Sequence, residues 1–415
     1  MDSARAEALF ARNRLTEGHW ISRTTESFRH LPPPAAGVWL GDTPPDAPQG
    51  CDASPLNGAG WTVHPVGDSL QGRVEARWLD ARDPQQRAEL FAGIPLPDGD
   101  DDAGPFAWAH RALCRRGLRL QIGNAPGRGA GDTVWLQLRH QPRAQVEAPM
   151  LVIDLLPGVH CVLVDIHERG DAACGHALVQ NLHVHVRVGA GASLRHLRLA
   201  AAGPQDRVAH FVHARLGPGA LYHQALLASG SEYHLQRSVI DLSQGEQARA
   251  RVAGVLLSSA SALEQQVRVL HAAPRAASNV ESLALGSGKA RIVVNAHTRI
   301  AAGADGTEVR QRLSGLPLGG QPKLVLRPQL EICHDDVQAA HGATWGALSE
   351  DMLFYAAQRG LDERVARALI VEGMARASLA ACLDSPGLMD SLEVDAMITQ
   401  GVARHLGAAP ESQHE

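Results

Sequence analysis

The fold is decided by a stretch in the last third of the chain, which reads Lys323-Leu-Val-Leu-Arg-Pro-Gln-Leu-Glu-Ile-Cys-His-Asp-Asp-Val-Gln-Ala-Ala-His341-Gly-Ala-Thr-Trp-Gly346. Two short apolar runs, Leu324 to Leu326 and Leu330 to Ile332, alternate with polar residues as a half-buried strand does. Directly after them stand the potential metal ligands Cys333, His334, Asp335, Asp336 and His341. The pattern predicts a strand with candidate ligands at its end.

Upstream of this stretch, residues 115–345 consist of short apolar runs separated by glycine turns. Residues 182–188 alternate Leu or Val with His or Arg, which is the two-residue period of a strand. Turns recur at Gly191, Gly219 and Gly245, at spacings of 28 and 26 residues, within the range of repeats that stack around one core. Since no helix-length amphipathic segment separates the strands, a Rossmann or TIM arrangement is disfavoured, and a β-helix or a large sandwich remains.

Both ends of the chain have helical patterns. The first 30 residues show a helical apolar period that ends before Pro32 to Pro34. Near the other end, Ser349 is a good N-cap for a helix that Gly360 closes, and two more helical segments follow. The predicted domains are a helical and irregular N-terminal domain (1–105), a β core (106–346) and a C-terminal helical domain (347–415).

Composition narrows the class of protein. A chain of 415 residues, of which 45% are hydrophobic, can bury a sizeable core. The net charge of −5, with both signs interspersed, does not indicate a nucleic-acid-binding surface. No apolar run approaches the roughly 18 to 20 residues that a membrane span needs, and the first five residues lack the order of a signal peptide. The sequence therefore predicts a cytoplasmic protein that binds neither nucleic acid nor membranes.

The cysteines give little sign of shared chemistry. Their scatter, without any C-x-x-C pair, argues against a zinc ribbon, a thioredoxin-type motif and a secreted disulfide framework. Because free cysteine is among the most buried residue types, most are predicted to be inert thiols. The six are Cys51, Cys114, Cys161, Cys174, Cys333 and Cys382.

The C-terminal third resembles a known family. Pro328 to Ile332, Asp335 to Val337 and His341 to Thr344 are similar to the C-terminal signature of the SufB/SufD family, scaffold proteins of the SUF iron-sulfur assembly system. The match is closer to the SufD branch than to SufB. Downstream, Asp351 to Tyr355 and Arg359 to Leu361 are similar to the helical tail of the family.

This similarity is strong over roughly residues 280 to 380 and fades to a general pattern upstream. The chain departs from the family at Ala339 and Ala340, where the family has Cys and Ser before its histidine, and at His334, where it usually has Ala. The resemblance implies a mainly β protein, with a right-handed parallel β-helix core between helical ends.

The resemblance also implies a function, that of a non-enzymatic, SufD-like scaffold subunit. Such a subunit would pair with a SufB-like chain through the β-helix and bind the SufC ATPase through its C-terminal helices, with the iron-sulfur cluster forming at the SufB–SufD interface. A homodimer is possible when the chain is alone. ATP hydrolysis is expected in the partner, because the glycine-rich segment 123–131 is not a Walker A loop. Flavin is possible as a further cofactor but has no support in the sequence. The candidate ATPase contacts are Leu353, Phe354, Tyr355, Arg359 and Gly360.

Among the candidate ligands, His341 matches the histidine that the family uses at this interface. Imidazole suits iron and is neutral at cellular pH. Because iron-sulfur clusters are usually held by several thiolates, a partner is expected to supply the other ligands. Cys333 is the second candidate, although it and His334 should point to opposite faces of a strand. Asp335 and Asp336 are expected to support the turn at the end of the last coil.

Two other functions fit the pattern. A metal-dependent polysaccharide lyase or hydrolase could use Asp335, Asp336 and His341 in a β-helix groove, although aromatic residues, at 4%, are scarce for such a groove. A homomeric scaffold without a cluster role is the other. His183 and His185 share one strand face, and the alternation favours the outward half of an amphipathic strand over a metal site.

Overall fold

From Met150 onward, successive strands alternate between two facing sheets, so that the chain winds into a parallel β-solenoid of about seven turns. The structure, a computed structural model, describes residues 2–42, 58–66, 73–97, 99, 101–124, 133–170, 177–383 and 394–407. The prediction of a mainly β protein with a parallel β-helix core and helices at both ends is confirmed.

One sheet, called sheet A, has nine strands, and the other, called sheet B, has ten along its main path. In spatial order, sheet A consists of β1 (Gly60–Pro65), β4 (Thr133–Gln141), β7 (His160–His167), β9 (Ser193–Ala200), β11 (Leu221–Ser229), β13 (Arg249–Ser259), β15 (Ala277–Gly288), β17 (Thr307–Gly320) and β19 (Val337–Trp345). Sheet B consists of β2 (Val74–Asp80), β3 (Arg116–Ile122), β6 (Met150–Leu155), β8 (Val179–Val188), β10 (Arg207–Leu216), β12 (Tyr233–Leu242), β14 (Ala262–His271), β16 (Arg291–Ile300) and β18 (Lys323–Ile332), and the short β5 (Val146–Glu147) pairs with β8.

The turns between coils repeat one backbone conformation. At each of five successive turns, one residue has a φ between +57° and +67°. In the first four turns, the amide of this residue donates to the backbone carbonyl of the residue just before its counterpart in the next turn. In the fifth turn, the amide donates to the carbonyl of Asp336. These residues are Gly191, Gly219, Gln247, Arg275 and Gly306. The repeat is therefore 28 residues long three times and then 31. Reading Gly245 as the third turn gave a false spacing of 26, because Gln247 occupies the left-handed position that favours glycine.

Helices cover the outer faces of both sheets. The N-terminal helices bury Trp39 and Phe106 against outward side chains of sheet B such as Phe211. The C-terminal helices bury Val371 and Leu379 against the outer face of sheet A. The helices are α1 (Ser3–Glu17), α2 (Ala36–Leu40), α3 (Pro84–Leu90), α4 (Gly104–Leu113), α5 (Glu350–Gln358), α6 (Glu363–Leu383) and α7 (Val394–Gly407).

The two ends of the solenoid differ. At the first end, β1 and β2 run antiparallel to their neighbours β4 and β3, so the parallel winding stops there. At the other end, β18 and β19 each pair with a single strand among the described residues and continue the parallel register. The last coil thus leaves an open parallel edge in both sheets.

Within the described parts of the chain, no helix is long and apolar enough to cross a membrane. Of the six cysteines, Cys51 and Cys174 lie outside the described residues. Cys114, Cys161 and Cys382 are buried as predicted, and burial raises the pKa of the Cys114 and Cys382 thiols to about 12. Cys333 is exposed.

Candidate functional site

The candidate site lies at the open end of the solenoid, in the middle of β19. His341 is paired in register with Gln311 of β17, and Gln311 is buried in the solenoid interior. Because side chains at paired positions share a face, His341 occupies an inward-facing position of the last coil. No further coil covers it, so the side chain is exposed. The position predicted to bind a cluster is accessible from the open end.

The surroundings of His341 are mostly apolar. Its inward-facing neighbours on β19 are Ala339 and Ala343, and Leu330 of β18 packs in the same small apolar cluster as Ala339. Within the described residues, the imidazole of His341 has no hydrogen-bond or ion-pair partner. The ring is therefore free to turn toward a ligand at the mouth of the solenoid.

The other candidate ligands do not gather around His341. Cys333 follows β18, and its amide donates to the carbonyl of Ile300 at 2.9 Å. His334 pairs with the carboxylate of Asp305 at the preceding turn. No three His, Cys, Asp or Glu side chains of the described residues come together in a way that could hold a metal ion.

Asp335 and Asp336 support the last turn, as expected, but through their backbone. The carbonyl of Asp335 accepts from the amide of Val337 at 3.0 Å, and that of Asp336 accepts from Gly306 at 2.8 Å. Both side chains are exposed. Glu331 nearby is exposed as well and pairs with Arg299 at 3.2 Å.

A second exposed surface lies on α5. As predicted, the helix begins at Ser349, whose hydroxyl accepts from the amide of Met352, and after it Gly360 adopts a φ of +77°. None of its residues is buried, and Phe354 and Tyr355 are 66% and 57% exposed. With α6 the helix forms a shallow apolar pocket lined by Met352, Tyr355, Leu361, Leu369 and Ile370 among others. We call this pocket, together with the exposed side chain of Phe354, the α5 patch.

The predicted ATPase contacts divide over two sides of α5. Phe354 and Tyr355 face solvent, whereas Leu353 packs against the buried cluster between α6 and sheet A. Arg359 stacks on the ring of Tyr355 with its guanidinium carbon 4.7 Å from the centroid, and it donates to the phenol oxygen at 2.6 Å. The stacked pair gives the patch a cationic edge.

The outward histidines of sheet B are structural. His183 and His185 lie on the outer face as predicted, where their rings stack with that of His213 at centroid distances of 5.8 and 4.9 Å. The α4 residue His110 covers them at 4.3 Å from His183, so the face is buried and not solvated. Burial lowers the pKa of His110 to about 3 and that of His213 to about 4.

The solenoid also contains a buried polar cluster that sequence reasoning missed. Asp165 is fully buried, and its carboxylate lies 2.9 Å from Nε2 of His167, 3.6 Å from Nε2 of His196 and 3.5 Å from Nε of Arg198. Arg198, also fully buried, donates to Gln236 at 3.1 Å. Burial alone would raise the pKa of Asp165, but His167, His196 and Arg198 outweigh it and hold this pKa well below its ordinary value.

Comparison with known proteins assigns the chain to a family. The model of the SufBD core domain, described as SUF system FeS cluster assembly, matches residues 139–374. The iron-sulfur cluster assembly protein SufD of Escherichia coli (strain K12) is 27% identical over 208 residues, which are 49% of this chain and 48% of that protein.

Other relatives match over shorter segments. An iron-sulfur cluster assembly SufBD family protein of Mycobacterium tuberculosis (strain ATCC 25618 / H37Rv) is 33% identical over 125 residues, 29% of this chain and 15% of that protein. The chloroplastic protein ABCI7 of Arabidopsis thaliana is 34% identical over 79 residues, 19% of this chain and 17% of that protein. The matches thus span about half or less of the length of these relatives.

The predicted resemblance to SufB/SufD proteins, and to SufD most of all, is confirmed. Because the family model covers more than half of the chain, this protein belongs to the SufBD family of the SUF system for iron-sulfur cluster assembly.

Proposed function

We propose that this protein is a non-enzymatic, SufD-like subunit that pairs with a SufB-like chain and binds an ATPase of the SufC type, so that an iron-sulfur cluster is assembled between the two solenoids. The observation that carries this proposal is the open last coil, with His341 on its inward face and exposed. A cytoplasmic location goes with the proposal.

The open coil favours a related solenoid as the partner. β18 and β19 present unpaired backbone groups on their free edges, and such edges readily accept another strand. The inward side chains of the last coil include Leu326 and Ala343, which pack on the interior core and leave an apolar end surface. A second coil of similar shape would bury both the edges and this surface, which would stabilise the pair mainly through apolar burial.

In this arrangement His341 supplies one ligand to the cluster, which is the cargo of the complex. An imidazole is a suitable iron ligand, and the apolar neighbours Ala339 and Ala343 would keep water away from it once the coil is covered. Ala339 stands where the family has cysteine, so thiolate ligands would come mainly from the partner. Cys333 is exposed at the end of the same coil and is the thiol candidate that the described residues offer.

Replacing His341 by alanine tests the role of the imidazole. With a co-expressed SufB-like chain and ATPase, we expect His341→Ala to lower the amount of cluster on the purified complex by about 10-fold or more, since even second-shell changes can cost that much. Iron and sulfide per complex, with the visible absorption of the cluster, measure the effect. His64→Ala, an exposed histidine at the opposite end of the solenoid, is the control. Equal cluster content in wild type and His341→Ala would refute the assignment.

The α5 patch is the proposed docking site of the ATPase. Exposed aromatic and aliphatic side chains clustered on one helix are typical of interfaces, and the patch has an arginine stacked at its edge. Since α6 packs on the outer face of sheet A, movement of a bound ATPase could be passed to the solenoid. Nucleotide-driven motion would then shift the coil edges and expose the ligands. ATP hydrolysis belongs to the partner in this scheme.

A substitution in the patch separates docking from folding. Because Phe354 is 66% exposed, Phe354→Ser should leave the melting temperature within about 2 °C of wild type, while weakening the ATPase complex by about 2 kcal/mol or more, about 30-fold in Kd. Titration calorimetry with the purified ATPase gives the Kd. Phe10→Ser, at a 52% exposed phenylalanine of α1, is the matched control. Comparable loss of affinity in both variants, or in neither, would exclude the α5 patch.

A further inference from the structure

We propose that Gln311 is a positioning residue for His341, and that its side-chain oxygen accepts a hydrogen bond from the imidazole and thereby fixes which ring nitrogen is free to bind metal. The inference deepens the proposed function, because it concerns the same open coil. It rests on the pairing of the two residues and on the hydrogen bonding of the Gln311 amide.

The amide of Gln311 is held in one orientation. Its Nε2 donates to Oγ1 of Thr298 at 2.9 Å and to the carbonyl of Gln329 at 3.1 Å, so both amide hydrogens are used. A backbone carbonyl can only accept, and exchanging the amide N and O would place two acceptors against each other. The atom of the Gln311 amide that lacks a hydrogen-bond partner is therefore the oxygen Oε1.

That oxygen is buried and lacks a partner among the described residues. Gln311 is 3% exposed, and its Oε1 accepts no hydrogen bond. A buried acceptor left without a donor costs about 1–3 kcal/mol, so such an atom in a native protein calls for an explanation. The structure contains a donor close at hand that is itself unused.

The unused donor is the ring N–H of His341. Gln311 on β17 and His341 on β19 are paired in register, and both side chains face inward. Because neighbouring strands lie about 5 Å apart, the two side chains are neighbours. The inward residues of β18 and β19 around them, such as Leu330, Ala339 and Ala343, are apolar and offer no competing group. A rotation of the exposed ring about its side-chain torsions brings an N–H toward Oε1.

A hydrogen bond from His341 to Gln311 would set the tautomer and the orientation of the ring. When one nitrogen of an imidazole donates its hydrogen to a protein acceptor, the other carries the lone pair, and ring orientation is fixed as well. At the open mouth, with Oε1 behind the ring, the lone pair faces the space that a partner coil would enclose. Gln311 would then prepare His341 as a ligand before the partner arrives.

The state of the ring in the chain alone tests this. With ¹⁵N-labelled histidine, two-bond ¹⁵N–¹H correlation spectra report the tautomer, and His341→Ala assigns the signal. Wild type is expected to show one dominant tautomer, and Gln311→Leu a mixture like that of an exposed histidine. Gln265→Leu is the matched control. Gln265 is an interior glutamine on β14, two coils before the last coil, and its side-chain oxygen accepts from the hydroxyl of Ser282.

An unchanged His341 tautomer in Gln311→Leu, or an equal change in Gln265→Leu, would overturn the proposal. In the co-expressed complex, Gln311→Leu is expected to lower cluster content by about 10-fold. The two ideas can fail separately. If Gln311→Leu alters the tautomer but His341→Ala leaves the cluster intact, the positioning role stands and the proposed function of His341 fails.

Discussion

Lowering the pH from 7 to 5 is expected to unfold this protein. Besides His196 beside Asp165, eight of the described histidines are buried or mostly buried, and burial is in each case the main cause that lowers the pKa. The pKa is lowered to about 3 for His140 and to about 4 for His234 and His271. The eight are His110, His140, His183, His185, His210, His213, His234 and His271.

The free energy of unfolding falls with falling pH because the unfolded chain binds more protons at these histidines than the folded chain does. Below the ordinary histidine pKa of about 6.5, the unfolded chain takes up a proton at each of these rings, whereas the folded chain keeps them neutral to lower pH, down to about pH 4 for His213, His234 and His271. Each such ring lowers the free energy of unfolding by about 1.4 kcal/mol per pH unit.

Two carboxyls act in the opposite direction. Burial raises the pKa of Glu147 to about 7 and that of Glu264 to about 8, so these groups hold a proton in the fold that the unfolded chain releases above about pH 4.5. They stabilise the fold as the pH falls. Eight histidines outweigh two glutamates, and the net loss is several kcal/mol per pH unit, against a total stability of about 5–15 kcal/mol.

Thermal unfolding followed by circular dichroism between pH 7.5 and 5 measures the effect. His64→Ala should leave the acid transition unchanged, because that ring is exposed. His213→Phe, which keeps a ring stacked beside Phe211, should shift the transition to lower pH and reduce proton uptake by about one. A melting temperature that stays constant over this pH range would show that the histidines are not held neutral by the fold.

The second large effect is expected at the buried ion pair. Asp165→Asn should lower the free energy of unfolding by about 3–5 kcal/mol, because it leaves the Arg198 guanidinium buried without a counter-charge. His167 and His196 would lose their carboxylate partner in the same step. Urea unfolding at pH 7.5 gives the change.

Two further variants isolate the cause. Asp165→Leu with Arg198→Met replaces both charges by apolar groups and should recover a substantial part of the loss, since replacing a whole buried pair is often neutral. Asp80→Asn removes the carboxylate of a solvent-exposed pair with Arg82 and should cost less than about 1 kcal/mol. If Asp165→Asn were as mild as Asp80→Asn, the interior cluster would contribute little to stability.

Much of the architecture could be predicted because it depends on local pattern. The alternation along 182–188 gave a strand that is now β8, and Ser349 and Gly360 bound the helix α5 as expected. The signature around His341 led to the family. These features depend on neighbours in sequence, or on a motif short enough to be read directly.

The interior cluster could not be predicted in the same way. Alternation tells which residues share a face, but in this fold both faces of a sheet are covered, one by the opposite sheet and the other by helices. On β10, His210 faces the interior while His213 faces α4, and nothing in the sequence distinguishes the two sides. The turn position of Gln247 was missed for a related reason, since its left-handed backbone is imposed by the stacked turns.

The central claim is that the last coil is completed by a related subunit. Hydrogen–deuterium exchange of the chain, alone and in complex with a SufB-like partner, tests it most directly. We expect amides of β18 and β19 to exchange quickly in the free chain and to become protected in the complex, while those of β1 and β2 at the other end do not change. A stable complex in which β18 and β19 exchange as they do in the free chain would contradict it.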